Sequence, residues 1–180
     1  MKKILLFFSL FLLTGCLFNM TPSEKVEELL NDYIKNDSSI MKELDTYIKN
    51  EDLNEKQQEK YKDIVKDEYS SIKYEIKKEK INGEKATVDV AITVKNLYKT
   101  SSETEKYLEN NPSEFYTDGV YDSSKFIDYR LEQMSKTKET IDYDITFNLS
   151  KKKNRWVIDE MDNETLEKIH GIYNYENDEE

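Results

Sequence analysis

Lys85-Ala86-Thr87-Val88-Asp89-Val90-Ala91-Ile92-Thr93-Val94-Lys95 is the stretch on which the fold turns. Ala86, Val88, Val90, Ile92 and Val94 point one way, while Thr87, Asp89, Thr93 and Lys95 point the other. A period of two, with apolar residues on one side only, makes a strand with one dry face and one wet face. Upstream, Ile72, Tyr74 and Ile76 alternate with polar residues, and Asn82-Gly83 offers the positive φ values of a tight hairpin turn. Downstream, Ile141, Tyr143, Ile145, Phe147 and Leu149 alternate strictly. Residues 151–154 then turn the chain into Arg155-Trp156-Val157-Ile158-Asp159. The pattern predicts two antiparallel hairpins and a sheet of about four strands.

Elsewhere the period is helical. Val26, Leu29, Leu30, Tyr33 and Ile34 share one face of a first helix, capped by Thr21 or Ser23 with Pro22 in the first turn. Asn36-Asp37-Ser38 breaks it, and Ile40, Met41, Leu44, Tyr47 and Ile48 form the inner face of a second. A third, more polar helix covers residues 54–66, with Tyr61, Ile64 and Val65 inward. Between the hairpins, Ser102-Glu103-Thr104-Glu105 reads as the capping box of a short helix reaching Asn110. Asn111-Pro112 and Asp118-Gly119 mark an irregular loop, and Asp122 or Ser123 starts a helix carrying Phe126, Ile127, Arg130, Leu131 and Met134 on one side. A last short helix begins near Asn163. Helices followed by antiparallel hairpins make an α+β domain, with the helices covering one face of the sheet and a helical insert between the hairpins. Residues 23–175 form a single domain in this reading, and 176–180 an acidic, frayed tail.

The start of the chain carries a different signal. Lys2 and Lys3 precede an apolar run from Ile4 to Leu13, and Leu13-Thr14-Gly15-Cys16 follows with the sole cysteine. A cationic start, a short apolar stretch and small residues before a cut site read as an export signal. With cysteine at the cut, residues 1–16 resemble a bacterial lipoprotein precursor with a lipobox. The resemblance implies a signal peptide at 1–15 recognised through Leu13, Thr14 and Gly15, and diacylglycerol, with palmitate-type chains, on the sulfur of Cys16. It implies a short tether over 16–22 and a place on the extracytoplasmic face of the cell membrane. The apolar run falls short of the roughly 20 residues that span a bilayer, so the lipid would be the anchor.

The chain has 27 basic and 38 acidic side chains, a net charge of −11. Such a balance disfavours nonspecific binding to nucleic acid or anionic lipid and suits basic protein surfaces or cations. With Cys16 lipidated, no thiol remains for a disulfide, a nucleophile or a metal site.

The leading helices from Thr21-Pro22-Ser23-Glu24-Lys25-Val26, followed by strands ending in Lys153-Asn154-Arg155-Trp156-Val157-Ile158, resemble the exported NTF2-like lipoproteins. That resemblance implies a curved antiparallel sheet partly wrapped by helices into a cone with a cavity. Cystatin-like folds share the same element order. The insert at residues 100–136 and the polar helix near Tyr61 depart from the NTF2-like pattern.

Few residues announce chemistry. His170, the only histidine, suits a cationic cap at the end of a short helix better than a general base. Gly83, Gly119 and Gly171 lie in no phosphate-cradling loop, and no cofactor is expected. Asp159-Glu160-Met161-Asp162-Asn163-Glu164 is rich in carboxylates, but it lacks the spacing of a calcium loop and equally makes an acidic first helical turn. No metal is expected there. Asp142 and Asp144 fall on the wet face of their strand.

Thirteen tyrosines are the compositional oddity. Tyrosine serves both as an amphipathic core residue and as a recognition residue. The loop at 110–122 is the candidate binding surface, presenting Tyr107, Phe115, Tyr116 and Tyr121. The expected function is a non-enzymatic binding or scaffold domain for an envelope protein, a peptide or a small ligand. The alternatives are an NTF2-like enzyme moving a proton with a buried carboxylate, and an inhibitor whose acidic face blocks a basic partner. An isolated acid of raised pKa in an enclosed pocket would mark the enzyme; a filled interior with aromatics at its rim would mark the binder.

Overall fold

The structure, a computed structural model, describes residues 20–175. The expectations for the signal peptide, for Cys16 and for the acidic tail lie outside the described residues. Within them the chain is α+β: α1 (Pro22–Ile34), α2 (Ser38–Ile48), α3 (Glu55–Ser71), β1 (Lys73–Asn82), β2 (Lys85–Lys95), α4 (Leu97–Asn110), β3 (Tyr116–Thr117), β4 (Val120–Tyr121), α5 (Ser123–Met134), β5 (Thr140–Lys152), β6 (Arg155–Ile158) and α6 (Asn163–Ile169). A 3-10 turn at Pro112–Phe115 joins α4 to β3.

Strands pair antiparallel in the order β1-β2-β5-β6, with β3 and β4 a separate two-stranded ribbon. The register sets the dry residues of β2 opposite those of β5: Val94 against Ile141, Ile92 against Tyr143, Val90 against Ile145, Val88 against Phe147, Ala86 against Leu149. These ten side chains form the floor of the main core. Val26, Leu30 and Tyr33 of α1, Val65 and Tyr69 of α3, and Ile169 of α6 close over them. The wet face carries Thr93 donating to Asp142 and Thr146 donating to Asp89, pairs that engage two of the sheet's outward carboxylates.

Helix starts follow local chemistry. Thr21 caps α1 in a reciprocal box with Glu24, and Asn54 does the same for α3 with Gln57. Asp37, Asn96, Asp122 and Asp162 cap α2, α4, α5 and α6 through their side chains.

Several sequence expectations are corrected. The third helix runs to Ser71, because Val65 and Tyr69 continue its buried stripe, and Ile72 is a buried helix C-cap ahead of β1. The insert helix starts at Leu97, capped by Asn96. Ser102-Glu103-Thr104-Glu105 lies inside it, where the Thr104 hydroxyl donates to the Ser101 carbonyl instead of capping. Asn82 remains in β1 opposite Lys85, so Gly83 (φ 62) and Glu84 form the turn. The position that demands glycine is the first central residue, as in a type II′ hairpin. At the other hairpin Lys153 (φ 50) and Asn154 (φ 63) are both left-handed, the type I′ pattern. The loop around Asp118-Gly119 is partly regular, being the β3–β4 ribbon.

The register of β1 shifts at Lys77, a bulge between Ile76 and Lys78. Beyond it Glu79 stands opposite Val88 and Ile81 opposite Ala86, on the side that α1 covers. The Ser23 amide and hydroxyl donate to Glu79 at 2.8 and 2.6 Å. This bond fixes the N-terminal end of α1 against β1.

Candidate functional site: a tyrosine-lined cleft

A concavity opens among the helices. It has a volume of about 330 Å³ and lies between α1, α2, α3 and α6. Tyr33 comes from the last turn of α1, Leu44 and Tyr47 from α2, Tyr61 and Tyr69 from α3, and Leu166 and His170 from α6 and its C-cap. No strand residue lines it, because the space between sheet and helices is filled by the main core. The cleft exists where α2 and α6 stand apart over α3, leaving Tyr47 48% exposed at its mouth. Tyr47 was expected as an inward core residue; it is corrected to a rim residue.

Hydrogen bonding and burial set the cleft's chemistry. The Tyr69 hydroxyl meets His170 Nδ1 at 3.1 Å, and the two rings pack edge-on at 5.5 Å. Tyr33 packs edge-on against Tyr69 at 5.0 Å. Burial pushes the Tyr33 hydroxyl up to about 12, and burial also raises Tyr61 and Tyr69. Burial drives the His170 imidazole down to about 4. His170 is therefore neutral at physiological pH, which corrects the expectation of a cationic cap. Burial and the Glu51 charge raise both Tyr47 and Tyr61. The cleft thus offers uncharged phenols and an uncharged imidazole on apolar walls, with Glu43 and Glu167 at its edge.

A second buried polar group lies behind this wall. Glu68 is fully buried and its Oε2 accepts from the Lys95 amide at 2.9 Å. Burial raises its carboxyl to about 7, against the opposing pull of the Lys95 amide and ammonium. Gly171 (φ 68) sits against the same strand end: a Cβ there would come 2.1 Å from the Lys95 carbonyl oxygen and 3.8 Å from Glu68 Oε1. The node ties α3, the end of β2 and the chain after α6 together. Glu68 is not among the residues lining the cleft.

The residues expected to form a binding surface divide into two groups. Phe115 is buried at 4% exposure, packed edge-on against Phe126 at 5.4 Å and beside Tyr129 at 5.5 Å. Tyr107 stacks on Tyr129 at 5.0 Å, and its hydroxyl donates to Glu114. Both are packing residues of the insert, and Phe115 is corrected from surface to core. Tyr116 and Tyr121 face each other across the ribbon at 6.1 Å, each 43% exposed, with Val120 at 70%. Asp159 accepts from Ser150, Asp162 caps α6 and Glu164 pairs with Lys168, so these three acids of the segment already have protein partners. Asp142 and Asp144 are exposed on the wet face.

Sequence reading missed the cleft because its tyrosines sit at core positions of three separate helices. One signal was available: Tyr61, Val65 and Tyr69 recur every four residues, which extends the third helix to the residue that meets His170.

No protein-family model and no curated protein matches this chain. Among solved structures, the chain is similar to a crystal structure described as that of a Bacillus subtilis lipoprotein, ycdA. The identity is 14% and the TM-score 0.46, over 82% of this chain and 47% of that protein. The chain thus spans about half the length of that protein. A superposition this loose fixes neither a fold family nor a function. Among the described residues no helix is long and apolar enough to cross a membrane.

Proposed function

We propose that the protein is a lipid-anchored, extracytoplasmic binding domain whose tyrosine-lined cleft holds a small, largely apolar ligand through a hydrogen-bonding group. The anchor rests on Leu13-Thr14-Gly15-Cys16 and on the resemblance to lipoprotein precursors. The observation that carries the binding reading is the cleft itself, an apolar cavity of about 330 Å³ with convergent Tyr69 and His170. The NTF2-like or cystatin-like reading finds support in the antiparallel sheet with helices on one side.

Proton transfer is the second reading, and Glu68, raised to about 7, is the observation that favours it. A general base works best with a pKa near the operating pH. In the cleft, however, His170 is depressed to about 4 and the tyrosines are raised, while Glu68 lies outside the lining. These groups favour holding a ligand over moving a proton.

The test uses 1-naphthol, a neutral aromatic alcohol, titrated by its own fluorescence. Wild type is expected to bind it saturably, and Leu166→Trp, which fills the cleft from its half-buried α6 side, to weaken binding at least tenfold while keeping the wild-type circular dichroism. Binding unchanged by that variant would sink the cleft as the site.

A further inference from the structure

The overall charge of −11 hides a basic pole. The turns of both main hairpins meet at one end of the sheet, because Lys85 pairs with Ser150 and the Lys151 amide donates to the Glu84 carbonyl. That end carries Lys80, Lys85, Lys151, Lys152, Lys153 and Arg155. The carboxylates nearby are Glu24 beside Ser23, Glu79, Glu84, Asp159 and Glu160, and the Thr21 amide donates to Glu24. Glu79 is engaged by Ser23 and Asp159 by Ser150, with Lys85 at 3.5 Å. Among the described residues no ion pair holds Lys80, Lys152, Lys153 or Arg155. Apolar side chains flank the cations: Ile81 is 55% exposed and Met20 39% exposed, and Trp156 is half-buried under the Lys151 ammonium at 5.4 Å.

The start of the described chain lies at this same end. Ser23 is bonded to Glu79, two residues before Ile81. Cys16 precedes Met20 by four residues, a reach of no more than about 15 Å between their Cα atoms. We infer that the two hairpin turns dock on the surface of an anionic phospholipid bilayer, with the cations on headgroup phosphates and Ile81 and Trp156 at the interface. The diacylglyceryl chains would hold the protein on the bilayer, and a basic patch adds a contact that orients the domain, each cation near an anionic surface contributing about 1 kcal/mol. Interfacial tryptophan is favoured at the headgroup level. The expectation that a polyanion is repelled by anionic lipid holds for a uniform surface; here the charge is polarised, with the cations beside the anchor. The inference rests on the lipid-anchored reading for its orientation, while its chemistry belongs to the folded domain.

The test therefore removes the lipid. A chain beginning at residue 16 with Cys16→Ser keeps every described residue and is sedimented with phosphatidylcholine vesicles, with and without phosphatidylglycerol. Binding is expected only to the phosphatidylglycerol vesicles and is expected to fall as salt is raised. Lys80→Gln with Lys152→Gln should weaken partition about 25-fold, two factors of about five, one for each cation. Lys106→Gln in the insert with Lys138→Gln just after it should leave it unchanged, and circular dichroism checks that both variants fold. Equal binding to both vesicle types, no binding to either, or equal loss in the two variants would overturn the inference. Because the probe carries no lipid, none of these results bears on lipidation of Cys16.

Discussion

Gly171 is held at φ 68 with the Lys95 carbonyl 2.1 Å from where a Cβ would stand. Gly83 has a similar φ of 62 but nothing within 4 Å of that position. The pair separates backbone strain from collision. Gly83→Ala is expected to cost about 1 kcal/mol, and Gly171→Ala at least about 3 kcal/mol, because the collision is with backbone that cannot swing away. Urea unfolding measures both. Beside Gly171, two buried groups give opposite pH dependences. Unfolded, Glu68 loses its proton near 4.5, but folded only near 7, so across that window the native state holds more protons and stability falls as pH rises. His170 has an ordinary value of 6.5 and a folded value of about 4, so the unfolded state holds more protons there and stability rises with pH. The two slopes oppose each other between pH 4.5 and 6.5. Glu68→Gln is expected to leave the His170 slope alone: urea midpoints climb from pH 4 to 6.5 and then level. Midpoints that are flat through this range would contradict a buried, neutral imidazole.

Elements divide the insert into a packed part and a presented part. Phe115, buried between α4 and α5 against Phe126 and Tyr129, is expected to cost about 3–5 kcal/mol when changed to alanine. Tyr116→Ala with Tyr121→Ala removes two half-exposed rings and is expected to cost about 1 kcal/mol. Denaturation of the two variants distinguishes the roles, and only the second can report on recognition by the ribbon. The strands and most helix starts were legible in the sequence, since alternation in β2 and β5 and side-chain caps such as Thr21 and Asp122 are local signals. The end of α3 and the start of α4 were not. Glu68 is polar yet buried, because it bonds the Lys95 amide across 27 residues, and Asn96 caps a helix directly after a strand. The cleft was invisible for a related reason. Tyr33, Tyr47, Tyr61 and Tyr69 each look like core at their own helix face, and only packing of α2 and α6 over α3 decides which ring meets solvent.

At the scale of the molecule, the sheet is a spacer with unlike ends. The eleven residues of β2 run about 35 Å from the basic turn at Lys85 to the insert that follows Lys95. Seated on its turns, the domain would hold the Tyr116–Tyr121 ribbon away from the bilayer, with the tyrosine-lined cleft among the helices on one flank. Removing the lipid would leave the cleft and the basic pole intact, with the protein held at the surface only by reversible, salt-sensitive contacts. Confinement is the claim on which the cellular reading stands. Its most direct measurement is mass spectrometry of the N-terminal peptide of the mature protein, taken from membranes of a bacterium that expresses the full chain. The expected result is a peptide that starts at Cys16 and carries a diacylglyceryl group on its sulfur. A free thiol at Cys16, or a mature chain that starts elsewhere, would contradict it.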